Sequence, residues 1–431
     1  MNWRLGYTIL LWAMLPLVLA RLFWRGLREH GYWVAWRERF GYYRVIESPA
    51  PAPAQGTIWV HAVSLGEVHA AKPLIEKLLG LCPQYRIVFS QMTATGRDAA
   101  QGIFGDRVRI TWLPYDYPFA VRRFIANFNP SLGIFIETEI WFNLIRECKC
   151  AGIPLFLANA RLSEKSAAGY LKIAPLSRRA FGSFDAVAAQ TEADASRFLR
   201  LGAHSPDVVG NLKFDAAALP RSYDLVQTFR KRYGQRAVLL AASTRDGEEA
   251  MLLDALVRVP IGDILVVIVP RHPQRFAVVA ELMKKRGIQF ARRSDNADVP
   301  IKCNFVLGDS MGEMDAYYRS SDIAFVGGSL LDYGGQNLIE ACAAGVPVLI
   351  GPFTRNFQEV ADMAVEAGAA KRTMNARETV DLAFELLAEP RTRVEMAHAG
   401  RIFSAQHQGA TDKTVSIVLR LLNADSPLRQ N

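Results

Sequence analysis

Glu67 closes the run HAVSLGE (61–67), in which a short apolar strand gives way to a Ser/Gly turn and then to the apolar-periodic helix of EVHAAKPLIEKLL. A carboxylate there stands at the carboxyl end of a strand, the edge at which open α/β sheets hold their ligands. Free backbone N–H donors and the positive end of a helix dipole lie beside it. It is a candidate general base facing a cleft, although position alone favours the plainer reading of an acid that complements the dipole. Glu137 and Glu139 in ETEIW (137–141) are separated by one residue near another strand end. In an extended segment both point to the same side, so one can face the cleft while the other orients a basic neighbour. Acids capping a helix before IWFNLI are the competing reading.

The second half carries phosphate chemistry. VVIVPRHPQRF (266–276) ends an apolar strand on Arg271 and His272, where a guanidinium can bind phosphate oxygens bidentately; His272 reads as a cap beside Pro273. GDSMGEMDAYY (308–318) turns into a helix near Met311, Gly312 and Glu313, and backbone N–H groups at such a turn suit an anion or the edge of a base. FVGGSLLDYGGQNLIEACAAGVPVLIG (325–351) is the richest stretch. Gly327 and Gly328 allow close backbone approach to a ligand, and Gly334 and Gly335 open a helix containing Asn337 and Glu340. Glu340, one turn in, can accept both hydroxyls of a ribose. Neither G-x-x-x-x-G-K-[ST] nor G-x-G-x-x-G occurs, which excludes a P-loop ATPase and the simplest dehydrogenase.

These groups must be held by strands and helices in alternation. IWVHAV, RIVFSQ, RITWLP, LGIFIE, PLFLANA, AVAAQ and DVVG read as strands with helices between most of them, a βαβ succession with a mostly parallel sheet. A polar stretch around 213–236 interrupts the pattern. A second succession follows, through AVLLAAS, DILVVIVP, FVLG, IAFVGG and VPVLIG. The expectation is two doubly wound α/β domains facing an interdomain cleft, where ligand sites are preferred. The divisions are an anchor and basic interfacial segment at 1–47, a Pro/Ala linker at 48–56 and a first domain at 57–215. An interdomain linker at 216–236 and a second domain at 237–425 follow, the last helices returning to the first domain.

Residues 5–20, LGYTILLWAMLPLVLA, carry no charge between Arg4 and Arg21. The run is short for a straight bilayer span unless it borrows Leu22, Phe23 and Trp24. Arg21, Arg25, Arg28, Arg37, Arg39 and Arg44 follow it against Glu29 and Glu38, which puts the downstream domains on the cytoplasmic side. Trp24, Tyr32, Trp33, Trp36, Tyr42 and Tyr43 suit an interfacial belt. We read a membrane anchor; an amphipathic helix packed on the protein is the alternative. The chain of 431 residues has a net charge of +9, which favours anionic partners such as phosphates, acidic sugars or an anionic membrane face. The basic residues are dispersed, so nucleic acid is not expected as a partner. Five scattered cysteines do not build a disulfide framework. Cys148 and Cys150 lack a second Cys/His pair at zinc spacing.

HAVSLGE, LPYDYP (113–118), ETEIW, ANARLSEKSAAGY (158–170), NLKFD (211–215), PRHPQRF, MGE and GGSLLDYGGQNLIE occur in this order. Together they resemble the 3-deoxy-D-manno-octulosonic acid (Kdo) transferases of lipopolysaccharide synthesis, over nearly the whole chain. The resemblance implies a GT-B glycosyltransferase at the inner membrane. Such an enzyme moves Kdo from CMP-Kdo to the 6′-hydroxyl of a lipid A precursor, with inversion. It places the base on Glu67 and transition-state stabilisers on Glu137 and Lys213. CMP contacts fall on Pro270 and Arg271, on Met311, Gly312 and Glu313, and on Asn337, Leu338, Ile339 and Glu340. Without it, Lys213 reads as a linker lysine. Gln336 stands where a histidine is common, Phe142 where a proline is frequent, and GPFTRNF has Arg355 where an apolar residue is usual. No acidic DxD-like pair is evident, so no essential metal and no cofactor beyond the donor CMP-Kdo are expected. A UDP-sugar transferase or epimerase, and a non-catalytic membrane-tethered module, are the other readings.

Overall fold

A strand covered by helices on both faces needs an unbroken apolar run, and the chain supplies two sets of such runs. The computed structural model describes residues 3–43, 55–218 and 223–424. Arg44, residues 45–54 of the anchor and linker, and 219–222 of the 216–236 segment lie outside the described residues. The chain divides into two compact units. One comprises the chain to Ala216 together with the segment from Gln408, and the other is Ala217–His407.

In the first unit, strands β1 (Gly56–His61), β2 (Tyr85–Gln91), β3 (Arg109–Trp112), β4 (Pro130–Ile136), β5 (Leu155–Ala160), β6 (Ala186–Ala189) and β7 (Asp207–Val208) form one sheet. Its order is β3-β2-β1-β4-β5-β6-β7, and every pairing is parallel. Ile58, Val60 and Ala62 face one core with Val68, Ala71 and Leu74 of helix Leu65–Leu81. Trp59 faces the other, with Phe124 and Phe135. The order reverses between β1 and β4, which opens a crevice at their carboxyl ends. The last helix, Ala410–Ala424, belongs to this unit, and Val415 and Val418 join the core of helix Leu65–Leu81. Asp215 of NLKFD fastens it by accepting Gly409 N at 2.7 Å and Thr411 N at 2.6 Å.

In the second unit, β8 (Val238–Thr244), β9 (Leu265–Pro270), β10 (Phe290–Arg292), β11 (Phe305–Leu307), β12 (Ile323–Val326), β13 (Val348–Ile350) and β14 (Ala370–Arg372) make a parallel sheet in the order β10-β11-β9-β8-β12-β13-β14. Here the reversal falls between β8 and β12. These are the two doubly wound α/β domains expected. The 216–236 segment, read as linker, contains helix Tyr223–Tyr233. Its Phe229 packs 4.8 Å from the Tyr317 ring within this unit.

The charge-free N-terminal run is part of a 26-residue helix, Trp3–Arg28. It packs on the protein along one stripe and leaves an apolar face exposed. Tyr7, Thr8, Leu11, Leu15, Val18 and Leu22 recur at helical spacing and turn inward, while Leu5, Ile9, Leu10, Trp12, Leu17, Phe23, Trp24 and Leu27 are exposed. The inner stripe is bonded to the first unit. Tyr7 donates to Asp116 Oδ2 at 2.8 Å, Thr8 to Asn143 Oδ1 at 3.0 Å, and Tyr117 to Leu11 O at 2.8 Å. Leu22 joins a cluster with Tyr32, Ala94 and Trp112. The aromatic belt is correspondingly thinner than expected. Tyr32 stacks on Trp112, and Tyr43 packs on Phe124 and Phe128. Arg39 is buried with its guanidinium 3.8 Å from the Trp112 ring. Trp24, Trp36 and Tyr42 stay exposed.

Asp116 is the joint of this arrangement. Besides Tyr7 it accepts Asn143 N at 3.1 Å and Leu144 N at 2.7 Å, capping helix Phe142–Cys150. Replacing Asp116 by Ala removes a buried cap and the Tyr7 bond together. It is expected to cost the first unit about 2–4 kcal/mol, measurable as a lower denaturant midpoint; an unchanged midpoint contradicts this role.

Candidate functional site

The first unit's acids are delivered by two adjacent strand ends. β1 stops at His61, and Ser64 becomes the N-cap of helix Leu65–Leu81 with extended backbone. Ser64-x-x-Glu67 is a capping-box pattern, and the carboxylate reaches back over the turn. Glu67 Oε2 accepts Val63 N at 2.7 Å and Glu67 Oε1 accepts the Ser64 hydroxyl at 2.8 Å. Glu67 thus braces the turn that leads into its helix, accepting from residues before the helix's first turn, and the same bonds fix its direction. Burial, and next the charge of Glu137, push its carboxyl up to about 8, against these two hydrogen bonds. A carboxyl titrating near neutrality has the strength a general base needs.

Glu137 follows β4. Its backbone is left-handed, with φ of 62°, a conformation that costs a non-glycine residue about 1–3 kcal/mol unless its surroundings impose it. The turn breaks the alternation that would put Glu137 and Glu139 on one side. Glu137 Oε1 meets Lys213 Nζ at 3.0 Å, whereas Glu139 Oε2 accepts Trp141 Nε1 at 3.0 Å. Glu139 is raised to about 7, chiefly by burial and further by Glu137. Neither acid caps the following helix; Asp116 does. The structure therefore brings Glu67, Glu137, Glu139 and Lys213 into one electrostatic group.

Lys213 is no solvated linker residue, since its side chain is 18% exposed. Asn159, at the end of β5 with φ of 53°, accepts Leu212 N at 3.0 Å. Asn211 accepts Lys213 N at 3.0 Å and donates to Gln190 at 3.0 Å, and Gln190 donates to Asn159 O at 3.0 Å. This side-chain network holds the start of helix Leu212–Ala218. Its members lie in the quoted motifs, but no local pattern marks Asn159 or Gln190 as supports. His61 is structural: fully buried, lowered to about 4 by that burial, with Nδ1 2.9 Å from Ser90 Oγ.

In the second unit, Pro270 ends β9 and Arg271 follows it, Met311 to Glu313 follow β11, and Asn337 to Glu340 follow β12. Arg271 N donates to Thr244 O at 2.9 Å and Arg271 Nε donates to Gln336 Oε1 at 3.1 Å. Burial lowers the Arg271 guanidinium's proton affinity, and the nearby Glu340 carboxylate opposes that. Gln336 thus orients the arginine. Helix Ile339–Ala344 begins later than expected: Leu338 is its N-cap, and Asn337 lies before it. Asn337 accepts Ile339 N at 3.1 Å and donates to Glu340 Oε1 at 3.3 Å. Leu338, Ile339 and Pro270 are buried, so their side chains serve the core. Met311 is exposed, Gly312 has φ of 78°, and Glu313 is bound to Arg293 at 2.8 Å and Ser310 at 2.5 Å. His272 does not act as a side-chain cap; its Nε2 lies 2.8 Å from Arg245 Nη1.

The glycine pair answers to the chain itself. A Cβ at Gly327 meets Thr244 Cα at 2.7 Å, so the close approach is to β8. The turn's N–H groups are taken by Glu248, fully buried in the first turn of helix Glu248–Leu256. Glu248 Oε2 accepts Gly328 N at 2.6 Å and Arg245 N at 2.8 Å; Oε1 accepts Ser329 N and Leu330 N at 2.9 Å. Glu248 escaped sequence reading because its partners lie far along the chain. Among the described residues, no cluster of three or more His, Cys, Asp or Glu is arranged to hold a metal ion, and the five cysteines are free.

Comparison with known proteins follows the same division. Residues 34–216 match the family model described as 3-deoxy-D-manno-octulosonic-acid transferase (kdotransferase), and residues 262–403 match glycosyl transferases group 1. A 3-deoxy-D-manno-octulosonic acid transferase of Bordetella pertussis is 41% identical over 95% of this chain and 97% of its own. One from Haemophilus influenzae is 37% identical over 96% and 98%. Among solved structures, UDP-GlcNAc 2-epimerase from Neisseria meningitidis, bound to UDP-GlcNAc, superposes with a TM-score of 0.59 at 16% identity. It covers 84% of this chain and 100% of that one, a likeness of fold alone.

Two outcomes are expected. The raised Glu67 carboxyl is harder to ionise in the folded unit than in the unfolded chain. Its contribution to stability is therefore complete below the ordinary carboxylate range and is lost as pH rises through about 8. Glu67→Gln must gain on the wild type in thermal stability between about pH 5 and about pH 9; a pH-independent difference contradicts the raised value. Glu248→Gln sets an amide NH2 against backbone donors and is expected to destabilise the second unit by about 3 kcal/mol, read by denaturant titration. A neutral effect contradicts its role as internal anion.

Proposed function

The chain belongs to the 3-deoxy-D-manno-octulosonic acid transferase family, and from that premise we propose that it transfers Kdo from CMP-Kdo to the 6′-hydroxyl of a tetra-acylated lipid A precursor. The observation that carries the chemistry is the Glu67 carboxylate, held by Val63 N and Ser64 Oγ and titrating near neutrality. Glu67 takes the proton of the acceptor hydroxyl as its oxygen bonds to the anomeric carbon of Kdo. The bond from that carbon to the phosphate oxygen breaks, and its electron pair leaves with CMP. Attack opposite the leaving group inverts the centre.

Charge builds on the phosphate as the bond breaks, and a fixed cation offsets it best where water is excluded. Arg271, held by Gln336 and largely buried, is assigned to the phosphate. Backbone N–H groups around Met311–Glu313 and Asn337–Glu340 bind the remainder of CMP, with Glu340 toward the ribose. Lys213 and Glu137 are transition-state stabilisers. Their ion pair places a positive charge beside the acids that must not all ionise together, and the ammonium answers the donor's carboxylate. The exposed apolar face of helix Trp3–Arg28 enters the cytoplasmic face of the inner membrane, where the acceptor resides. A helix bonded to its own domain along one stripe lies in the interface rather than crossing it.

Purified full-length protein incubated with CMP-Kdo and the tetra-acylated disaccharide is expected to release CMP and form the Kdo-bearing product. The value of kcat/KM should rise about tenfold per pH unit until it levels near pH 8, because the base must be ionised. Glu67→Gln should still bind CMP while kcat falls by roughly 10³. Product formation from a UDP-sugar but not from CMP-Kdo overturns the donor assignment, and full turnover by Glu67→Gln overturns the base.

A further inference from the structure

Away from the Glu67 group, the first unit has a half-open cavity of about 770 Å³ where helices Phe142–Cys150 and Ala174–Phe181 meet the start of helix Trp3–Arg28. Four cations line it, Arg4, Arg146, Lys149 and Arg179, and no carboxylate does; Phe142 and Leu176 are among its apolar walls. Arg146 leans on Glu147 at 2.8 Å and Lys149 on Asp185 at 2.9 Å. Among the described residues, Arg4 and Arg179 have no carboxylate partner. At this end of the N-terminal helix Leu5, Ile9 and Leu10 are exposed.

A cationic rim over an apolar wall, beside an exposed apolar helix face, matches a molecule with an anionic head and hydrocarbon chains. A free phosphate would satisfy the arginines and leave the apolar wall wet. We propose that this cavity is a binding site for an anionic phospholipid of the bilayer, with its phosphate between Arg4 and Arg179 and its chains along the outer face of helix Trp3–Arg28. The occupant is not the reacting lipid, because none of Glu67, Glu137, Glu139 and Lys213 lines the cavity. Such a lipid fixes the height and tilt at which the domain sits on the membrane. This rests on the membrane placement given above.

The test is native mass spectrometry of the detergent-purified full chain with added phosphatidylglycerol. Wild type is expected to retain one phosphatidylglycerol and to lose phosphatidylcholine. The double variant Arg4→Ala/Arg179→Ala should bind phosphatidylglycerol about thirtyfold more weakly, the order expected for two arginines at an anionic head. Lys165→Ala/Lys172→Ala, which removes the same charge from exposed positions elsewhere on the unit, should bind as wild type. Equal retention by the arginine variant, equal retention of phosphatidylcholine, or full displacement by inorganic phosphate overturns the proposal. So does displacement by the tetra-acylated disaccharide, which would make the cavity an acceptor site. Kdo transfer is measured on the same samples. Its absence in wild type counts against the catalytic reading and leaves the phosphatidylglycerol result standing.

Discussion

A carboxylate kept largely from water beside a second carboxylate is the constraint around which the first unit is built. Isolated, Glu67 in such a place would simply take up a proton and stay neutral. Val63 N and Ser64 Oγ favour its charged form, while burial and Glu137 oppose it, and the balance falls near neutral pH. Lys213 on Glu137 keeps that neighbour's charge compensated. Loss of any of these partners moves the balance, so the strand ends that hold them must be rigid.

That rigidity comes from both sheets in the same manner. β1 and β4 are neighbours at the point where strand order reverses, so the residues after them emerge side by side. The chain leaves β4 and β5 through left-handed backbone, at Glu137 and at Asn159. Side-chain bonds to Lys213, Leu212 and Gln190 stabilise that conformation. In the second unit an internal carboxylate, Glu248, takes three backbone N–H bonds from the turn after β12 and a fourth from Arg245 after β8. Gln336 in turn orients Arg271. Both units therefore use buried polar contacts between distant segments to aim a charged group at the strand-end edge of a sheet.

Much of the architecture was legible because parallel strands buried on both faces are continuous apolar runs. Six strands of the first sheet, and five of the second, stand out in this way; β7 is a short exposed edge strand, found at the start of the run DVVG. β10 (FAR) and β14 (AKR) do not, being short and half-polar at the sheet edges. Helix Tyr223–Tyr233 hides in a polar segment since only Phe229 and Tyr233 of its residues are buried. The strand, turn and helix around Glu67 were readable from local pattern, and they left open whether the acid complements the dipole or acts as a base; the bonds to Val63 N and Ser64 Oγ and the raised proton affinity fall on the same carboxylate. The same-side argument for Glu137 and Glu139 failed because it assumed extended backbone where φ is positive. Asp116, Asn159 and Glu248 were missed as supports because their bonds reach segments that only the fold brings near. The N-terminal run showed its apolar character in sequence, but its inner stripe could not be distinguished until Asp116, Asn143 and Tyr117 supplied the partners.

Burial and Glu137 together hold the Glu67 carboxyl near neutrality. The most direct measurement is a pH titration of that carboxyl, by carbon-13 NMR or isotope-edited infrared spectroscopy, in the wild type and in Glu137→Gln. A midpoint near 8 is expected in the wild type, and a lower one once the Glu137 charge is removed. A wild-type midpoint in the ordinary carboxylate range, unmoved by Glu137→Gln, would contradict this.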